Sequence, residues 1–151
     1  MDFNIFHVSG TYSYNWFKEE LDKDGIDYTK NNVRVGEYLY DMPKALIDAD
    51  MVITSAGALT LNEVSCVAKP VIIIPKAYVV ENHQEYNARY FEDMGAAKMI
   101  LEKDLNEELL YDEVNNILHN EDIYKSMQKG LKNIFVKNAI DEIYDIIIKT
   151  I

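Results

Sequence analysis

Short β-branched runs alternate along this chain with longer stretches whose apolar residues recur three and four positions apart. The first pattern is that of strands buried on both faces, and the second that of helices with one apolar face. Strands are predicted over Asn4–Val8, Val33–Val35, Met51–Thr54, Val71–Ile74 and Lys98–Leu101. Between them the spacing predicts helices over Trp16–Lys23, Met42–Ala49, Leu61–Ala68 and His83–Met94. After Leu101 the strands cease and three helices follow, over Asn106–His119, Asp122–Asn133 and Ala139–Ile151, the last with Ile140, Ile143, Ile147 and Ile151 on one stripe. Asp41 can cap a helix that carries Pro43 in its first turn, and Gly95 stands where a helix ends.

Strands joined throughout by helical crossovers imply an α/β fold with a Rossmann-like, doubly wound parallel sheet. With 151 residues, and no repeat, low-complexity tract or linker, the chain reads as one domain, residues 1–151, around one core. It opens on a strand ending His7-Val8-Ser9-Gly10, without the Gly-rich phosphate-cradling turn that usually starts such a fold.

Composition narrows the function classes. Hydrophobic residues make up 48% and charged residues 27%, values of a folded globular protein. The 26 acidic residues against 15 basic ones give a net charge of −11, which repels nucleic-acid phosphate and anionic lipid on average. An anionic ligand would therefore have to be held by local backbone dipoles. One cysteine, Cys66, excludes an intrachain disulfide and a thiolate metal cluster and suits a reducing cytoplasm. No stretch reaches the ~20 apolar residues of a membrane span, and the N-terminal residues lack a signal peptide's basic region.

Candidate chemistry concentrates in two places. Thr54-Ser55-Ala56-Gly57-Ala58-Leu59-Thr60-Leu61-Asn62-Glu63 runs from a buried strand through small residues into a helix, the place where open α/β sheets bind ligands. Such a turn lets a phosphate approach the first-turn N–H groups, although the same pattern also fits a plain strand-to-helix turn. Thr60-x-x-Glu63 has capping-box spacing, and on spacing alone capping is the favoured role for Glu63; a carboxylate there is also placed to grip a ribose diol. The second cluster, Pro75 to Asn87, sets amides, carboxylates and His83 after the next strand, a density that suits sugar hydroxyls as well as a solvated loop. Glu81, His83 and Glu85 would share one side only in a strand, where no strand is predicted, so no metal site is expected. Zinc-protease, ester-hydrolase and P-loop signatures are absent from the sequence.

Four segments in register, Glu37–Met42, Asp50–Glu63 with its Ser-Ala-Gly-Ala-Leu-Thr core, Glu81–Ala88 and Met94–Ala97, resemble the C-terminal domain of the bacterial peptidoglycan N-acetylglucosaminyltransferases. The resemblance implies the C-terminal half of a GT-B glycosyltransferase, binding UDP-GlcNAc. A lipid-linked muramyl acceptor would be bound by an N-terminal half that this sequence does not contain. It implies main-chain contacts from Leu39 to uracil with Tyr38 beside it, diphosphate held by Ala58, Leu59 and Thr60, the ribose on Glu63, and GlcNAc hydroxyls read by Gln84 and Glu85. Ser55, Gly57 and Asn87 stand next to these as further candidates. Some relatives carry a second glutamine at the position of Glu85. Transfer would be an inverting attack by a muramyl hydroxyl with UDP leaving, without an obligatory metal or other cofactor, at the inner face of the cell membrane.

The resemblance also implies that the first strand and Gly-Gly-Ser turn of the donor domain are missing. An incomplete sheet of that kind would favour self-association. Alternatives in view are a UDP-GlcNAc 2-epimerase, the dolichol-linked GlcNAc transferase subunit, and a non-catalytic UDP-sugar module or a subunit completed by a partner chain.

Overall fold

A computed structural model of the chain describes residues 3–29, 32–78 and 82–150. The order of elements is β1 (Ile5–Val8), α1 (Tyr14–Lys23), β2 (Val33–Gly36), α2 (Met42–Asp48), β3 (Val52–Thr54), α3 (Ala58–Val67), β4 (Val71–Ile73), α4 (His83–Asp93), β5 (Ala97–Met99), α5 (Glu107–His119), α6 (Glu121–Ile134) and α7 (Ala139–Thr150). Every predicted strand and helix is present, with ends shifted by up to three residues; Ile151 lies outside the described residues. The largest shift is at α3, which begins at Ala58 and not at Leu61.

The backbone forms two compact units, Met1–Met42 and Pro43–Ile151. In the first, β1 and β2 pair in parallel with Ile5 opposite Val33, joined by α1. The His7 ring stacks on Phe17 of α1 with centroids 4.3 Å apart, and burial lowers its pKa because the charged imidazolium loses water.

In the second unit β3, β4 and β5 form a parallel sheet in that order, with Val52 opposite Val71 and Val71 opposite Ala97. Val71, Ile72 and Ile73 of the central strand are fully buried, as a strand covered on both faces requires. Burying each contributes about 1.5–3 kcal/mol. Ile72 joins Ile100, Ile117 and Met127 in a cluster flanked by Leu109, Val114 and Ile123 of α5 and α6.

Two glycines shape this unit. Gly95 has φ +64 and closes α4 in a Schellman turn, its N–H donating to the Glu92 carbonyl at 2.8 Å and that of Ala96 to Phe91 at 2.9 Å. Gly130, in the middle of α6, lets that helix pass against the turn: a Cβ there would stand 2.8 Å from both Ala96 N and Met94 O. The same helix steadies the elements of the candidate site. Tyr124 Oη donates to the Asp50 carbonyl before β3 at 2.8 Å, and Gln128 Nε2 to the Ala68 carbonyl at the end of α3 at 3.3 Å. Of the stripe predicted on α7, Ile140, Ile143 and Ile147 are exposed, and no residue of Ala139–Thr150 is buried.

Candidate functional site

Helix α3 starts at the carboxyl end of β3, and nothing of its own sequence caps it. Its N-cap is Gly57, which has extended backbone and offers no capping side chain. The first bond of the helix runs from Leu61 N–H to the Gly57 carbonyl at 3.0 Å. The N–H groups of Ala58, Leu59 and Thr60 therefore have no acceptor within α3. With the helix dipole behind them they form a positive helix end of the kind that attracts a phosphate. The space above is open: a Cβ at Gly57 would meet nothing within 4 Å, and the Leu59 side chain is 84% exposed.

This start corrects the capping-box reading of Glu63. Thr60 lies inside the first turn, three residues past the cap, so the Thr60-x-x-Glu63 spacing does not meet the helix end. Glu63 is exposed, one turn further on, with its carboxylate unneeded for capping.

The turn before α3 is held by α4. Gln84, buried in the first turn of α4, accepts from the N–H of Ala56 at 3.2 Å and from that of Lys76 at 3.1 Å with its Oε1. Asn87 donates from Nδ2 to the Ala56 carbonyl at 3.1 Å. Two backbone donors fix which end of the Gln84 amide carries oxygen, and Nε2 points the other way. Ser55 is half-buried in the turn.

Glu85, beside Gln84, is engaged by its own helix. Asn82 Nδ2 donates to one of its oxygens at 2.7 Å, and Arg89 Nη2 and Nε to the other at 2.6 and 3.0 Å. Those partners, Asn82 first and then Arg89, hold its carboxyl below the ordinary glutamate range. Asn82 is left-handed at φ 52, a conformation asparagine tolerates better than most side chains. Glu81 lies outside the described residues. His83 opens α4, and among the described residues no group of three His, Cys, Asp or Glu could hold a metal ion.

In the first unit, Leu39 follows β2, half-buried, between two exposed tyrosines. The Tyr38 and Tyr40 rings meet edge to face, with centroids 5.0 Å apart. A groove of about 470 Å³ beside β1 and α1 is lined by Ile5, His7, Phe17, Leu21, Ile26 and Asn32.

Sequence reasoning named Ser55, Gly57 to Thr60, Glu63, Gln84, Glu85 and Asn87 as candidates; of the turn before α3 the structure joins Ala56 to Gln84 and Asn87, and Ala56, Lys76, Asn82 and Arg89 were not foreseen as partners. The signal for Arg89 was available, since Glu85 stands four residues ahead of it on one helix face. That for Ala56 and Lys76 was not, because backbone N–H groups left over at diverging strand ends carry no side-chain signature.

The chain matches the glycosyltransferase family 28 C-terminal domain over residues 1–143. It is 38% identical over 149 residues to the UDP-N-acetylglucosamine–N-acetylmuramyl-(pentapeptide) pyrophosphoryl-undecaprenol N-acetylglucosamine transferase of Finegoldia magna, covering 96% of this chain and 39% of that protein. The same-named protein of Acetivibrio thermocellus is 35% identical, with coverage of 97% and 39%. The crystal structure of Acinetobacter baumannii MurG superposes with a TM-score of 0.79 at 29% identity, over 97% of this chain and 41% of that one. The glycosyltransferase VinC, solved with dTDP, shares the fold, with a TM-score of 0.62 at 20% identity over 76% of this chain and 27% of that one. The chain thus spans about two fifths of the length of the curated relatives it matches. A parallel α/β domain, a sheet-end turn opening on an uncapped helix and this extent of sequence identity place the chain in glycosyltransferase family 28, as its C-terminal domain.

Proposed function

We propose that this chain is the UDP-GlcNAc-binding domain of a glycosyltransferase that transfers GlcNAc to a lipid-linked muramyl-pentapeptide in peptidoglycan synthesis. The observation that carries the reading is the uncapped start of α3 at the end of a parallel sheet, where three N–H groups have no acceptor within the helix. It supplies local positive potential in a chain whose net charge of −11 would otherwise repel a nucleoside diphosphate.

In this reading Ala58, Leu59 and Thr60 hold the diphosphate through their main chain. Glu63, exposed and released from capping, takes the ribose hydroxyls. Gln84 has only Nε2 left for a sugar hydroxyl, and Glu85 would have to exchange Asn82 or Arg89 for one. The main chain at Leu39 is the proposed uracil contact. As UDP leaves, the same N–H groups stabilise its developing charge without a metal. The lipid-linked acceptor falls to the remaining three fifths of a protein of the relatives' length, and would bring the assembled enzyme to the inner face of the membrane.

Titration with UDP, UDP-GlcNAc, UDP-glucose and NAD tests the proposal, read by amide shifts. UDP and UDP-GlcNAc should move Ala58, Leu59 and Thr60, and NAD should not. Shifts confined to other residues, or none at millimolar UDP, would overturn it. The purified chain should transfer no GlcNAc, because acceptor positioning and activation lie outside it.

A further inference from the structure

The hydrogen-bond ladder between β3 and β4 ends where the Ile74 N–H meets the Thr54 carbonyl at 2.9 Å. Beyond that point the N–H groups of Ala56 and Lys76 no longer reach a carbonyl of the facing strand. Both turn instead to one atom, Gln84 Oε1, at 3.2 and 3.1 Å. Three residues along α4, on the same helix face, Asn87 Nδ2 donates to the carbonyl of that same Ala56 at 3.1 Å. Ala56 is thereby gripped at both its N–H and its C=O, and its side chain is fully buried.

The next residue is Gly57, the N-cap of α3, with no side chain to orient it. The direction of the Ala58, Leu59 and Thr60 N–H groups then depends on the peptide preceding Gly57, which the Gln84–Asn87 pair holds. We infer that Gln84 and Asn87 are positioning residues for the diphosphate: they act through Ala56 to aim the first turn of α3 at the phosphates, and the main contribution of Gln84 to donor binding falls on the diphosphate and not on the sugar. The inference rests on the proposed UDP-sugar reading of the site.

Three ligands separate the possibilities: uridine, which has no phosphate; UDP; and UDP-GlcNAc. Affinities are measured well below each protein's melting temperature for the parent, Gln84→Met, which removes the shared acceptor at nearly constant volume, and Asn87→Leu, which removes the donor. Both variants should bind uridine as the parent does. Both should bind UDP about ten- to a hundredfold more weakly, the loss expected for one hydrogen bond to a charged group. UDP-GlcNAc should weaken by the same factor as UDP. On adding UDP, the amide shifts of Ala58, Leu59 and Thr60 should shrink relative to the parent.

Unchanged UDP affinity with weakened UDP-GlcNAc would make Gln84 a direct sugar contact and overturn the positioning role. Equal weakening of uridine and UDP would reduce the pair to general structural support and overturn it as well. If Gln84→Met does not fold, the half-exposed Asn87→Leu carries the same comparison. A parent that binds neither uridine nor UDP would remove the donor reading itself, an outcome distinct from variants that bind UDP like the parent.

Discussion

Replacing Gly57 by aspartate should stabilise the protein and at the same time impair its proposed ligand binding. Gly57 sits at the N-cap of α3 with φ −67 and ψ 128, a conformation open to any L residue, and the added Cβ meets nothing within 4 Å. A carboxylate there accepts from the N–H of Leu59 or Thr60. The cap itself is worth only a few tenths of a kcal/mol over glycine. Restricting the unfolded chain adds about 0.4–1 kcal/mol, and the charge at the positive helix end about 0.3–1 kcal/mol. Together these amount to about 1–2 kcal/mol, or a melting temperature higher by about 2–8 °C for a chain of this length. For UDP the sign reverses. The carboxylate occupies N–H groups that the diphosphate needs and sets like charge about 4 Å away, a repulsion between about 1 and 4 kcal/mol over the range of effective dielectric from water to a protein surface. A loss of about 2 kcal/mol is about thirtyfold in affinity. Gly57→Asn caps equally well without the charge, so the Asp–Asn difference isolates the repulsion and should shrink with added salt. Thermal melts without ligand and calorimetric titration with UDP read both effects. A lower melting temperature would refute the N-cap geometry, and a higher one with unchanged UDP affinity would refute α3 as the diphosphate site.

Glu63→Gln should melt like the parent, because Glu63 plays no part in the cap, and should bind UDP more weakly by about 1.5–3 kcal/mol if its carboxylate grips the ribose. A 2′,3′-dideoxy analogue of UDP should not tell the two proteins apart, and equal UDP affinity in both would end the ribose role. Gly130→Ala gains helix propensity but forces backbone apart at Met94 and Ala96; the net expectation is a destabilisation of about 1–3 kcal/mol in a denaturant melt, the scale of overpacking. Glu85 should titrate below the ordinary glutamate range by NMR, and Asn82→Ala or Arg89→Ala should bring it back up. Since its folded pKa is depressed, whatever Glu85 adds to stability is present above the ordinary glutamate pKa and fades as pH falls through the folded value. An unshifted midpoint in the parent would contradict the pairing.

Much of the molecule was legible as periodicity. Val71, Ile72 and Ile73 read as a buried strand because a central parallel strand has no polar face, and Gly95 read as a helix end because only a left-handed residue closes that turn. The start of α3 was not legible. Ser-Ala-Gly-Ala has little preference of its own, and Thr60-x-x-Glu63 offered a local start that the fold does not use. What sets the start at Gly57 is the end of β3 and the grip of Gln84 and Asn87 on Ala56, partners 28 and 31 residues away.

The sequence by itself determined which segments become strands and helices, the parallel α/β class, and the two clusters in which the candidate site lies, because these depend on spacings within a single element and its immediate neighbours. Only the tertiary structure decided that Glu63 is spared from capping, that the Gln84 oxygen is spent on two strand ends, that α6 needs a glycine where it crosses Ala96, and that Ile140, Ile143 and Ile147 of α7 are exposed. Each of those depends on which backbone groups and surfaces are left unmatched once distant elements have packed, and no local pattern records that remainder.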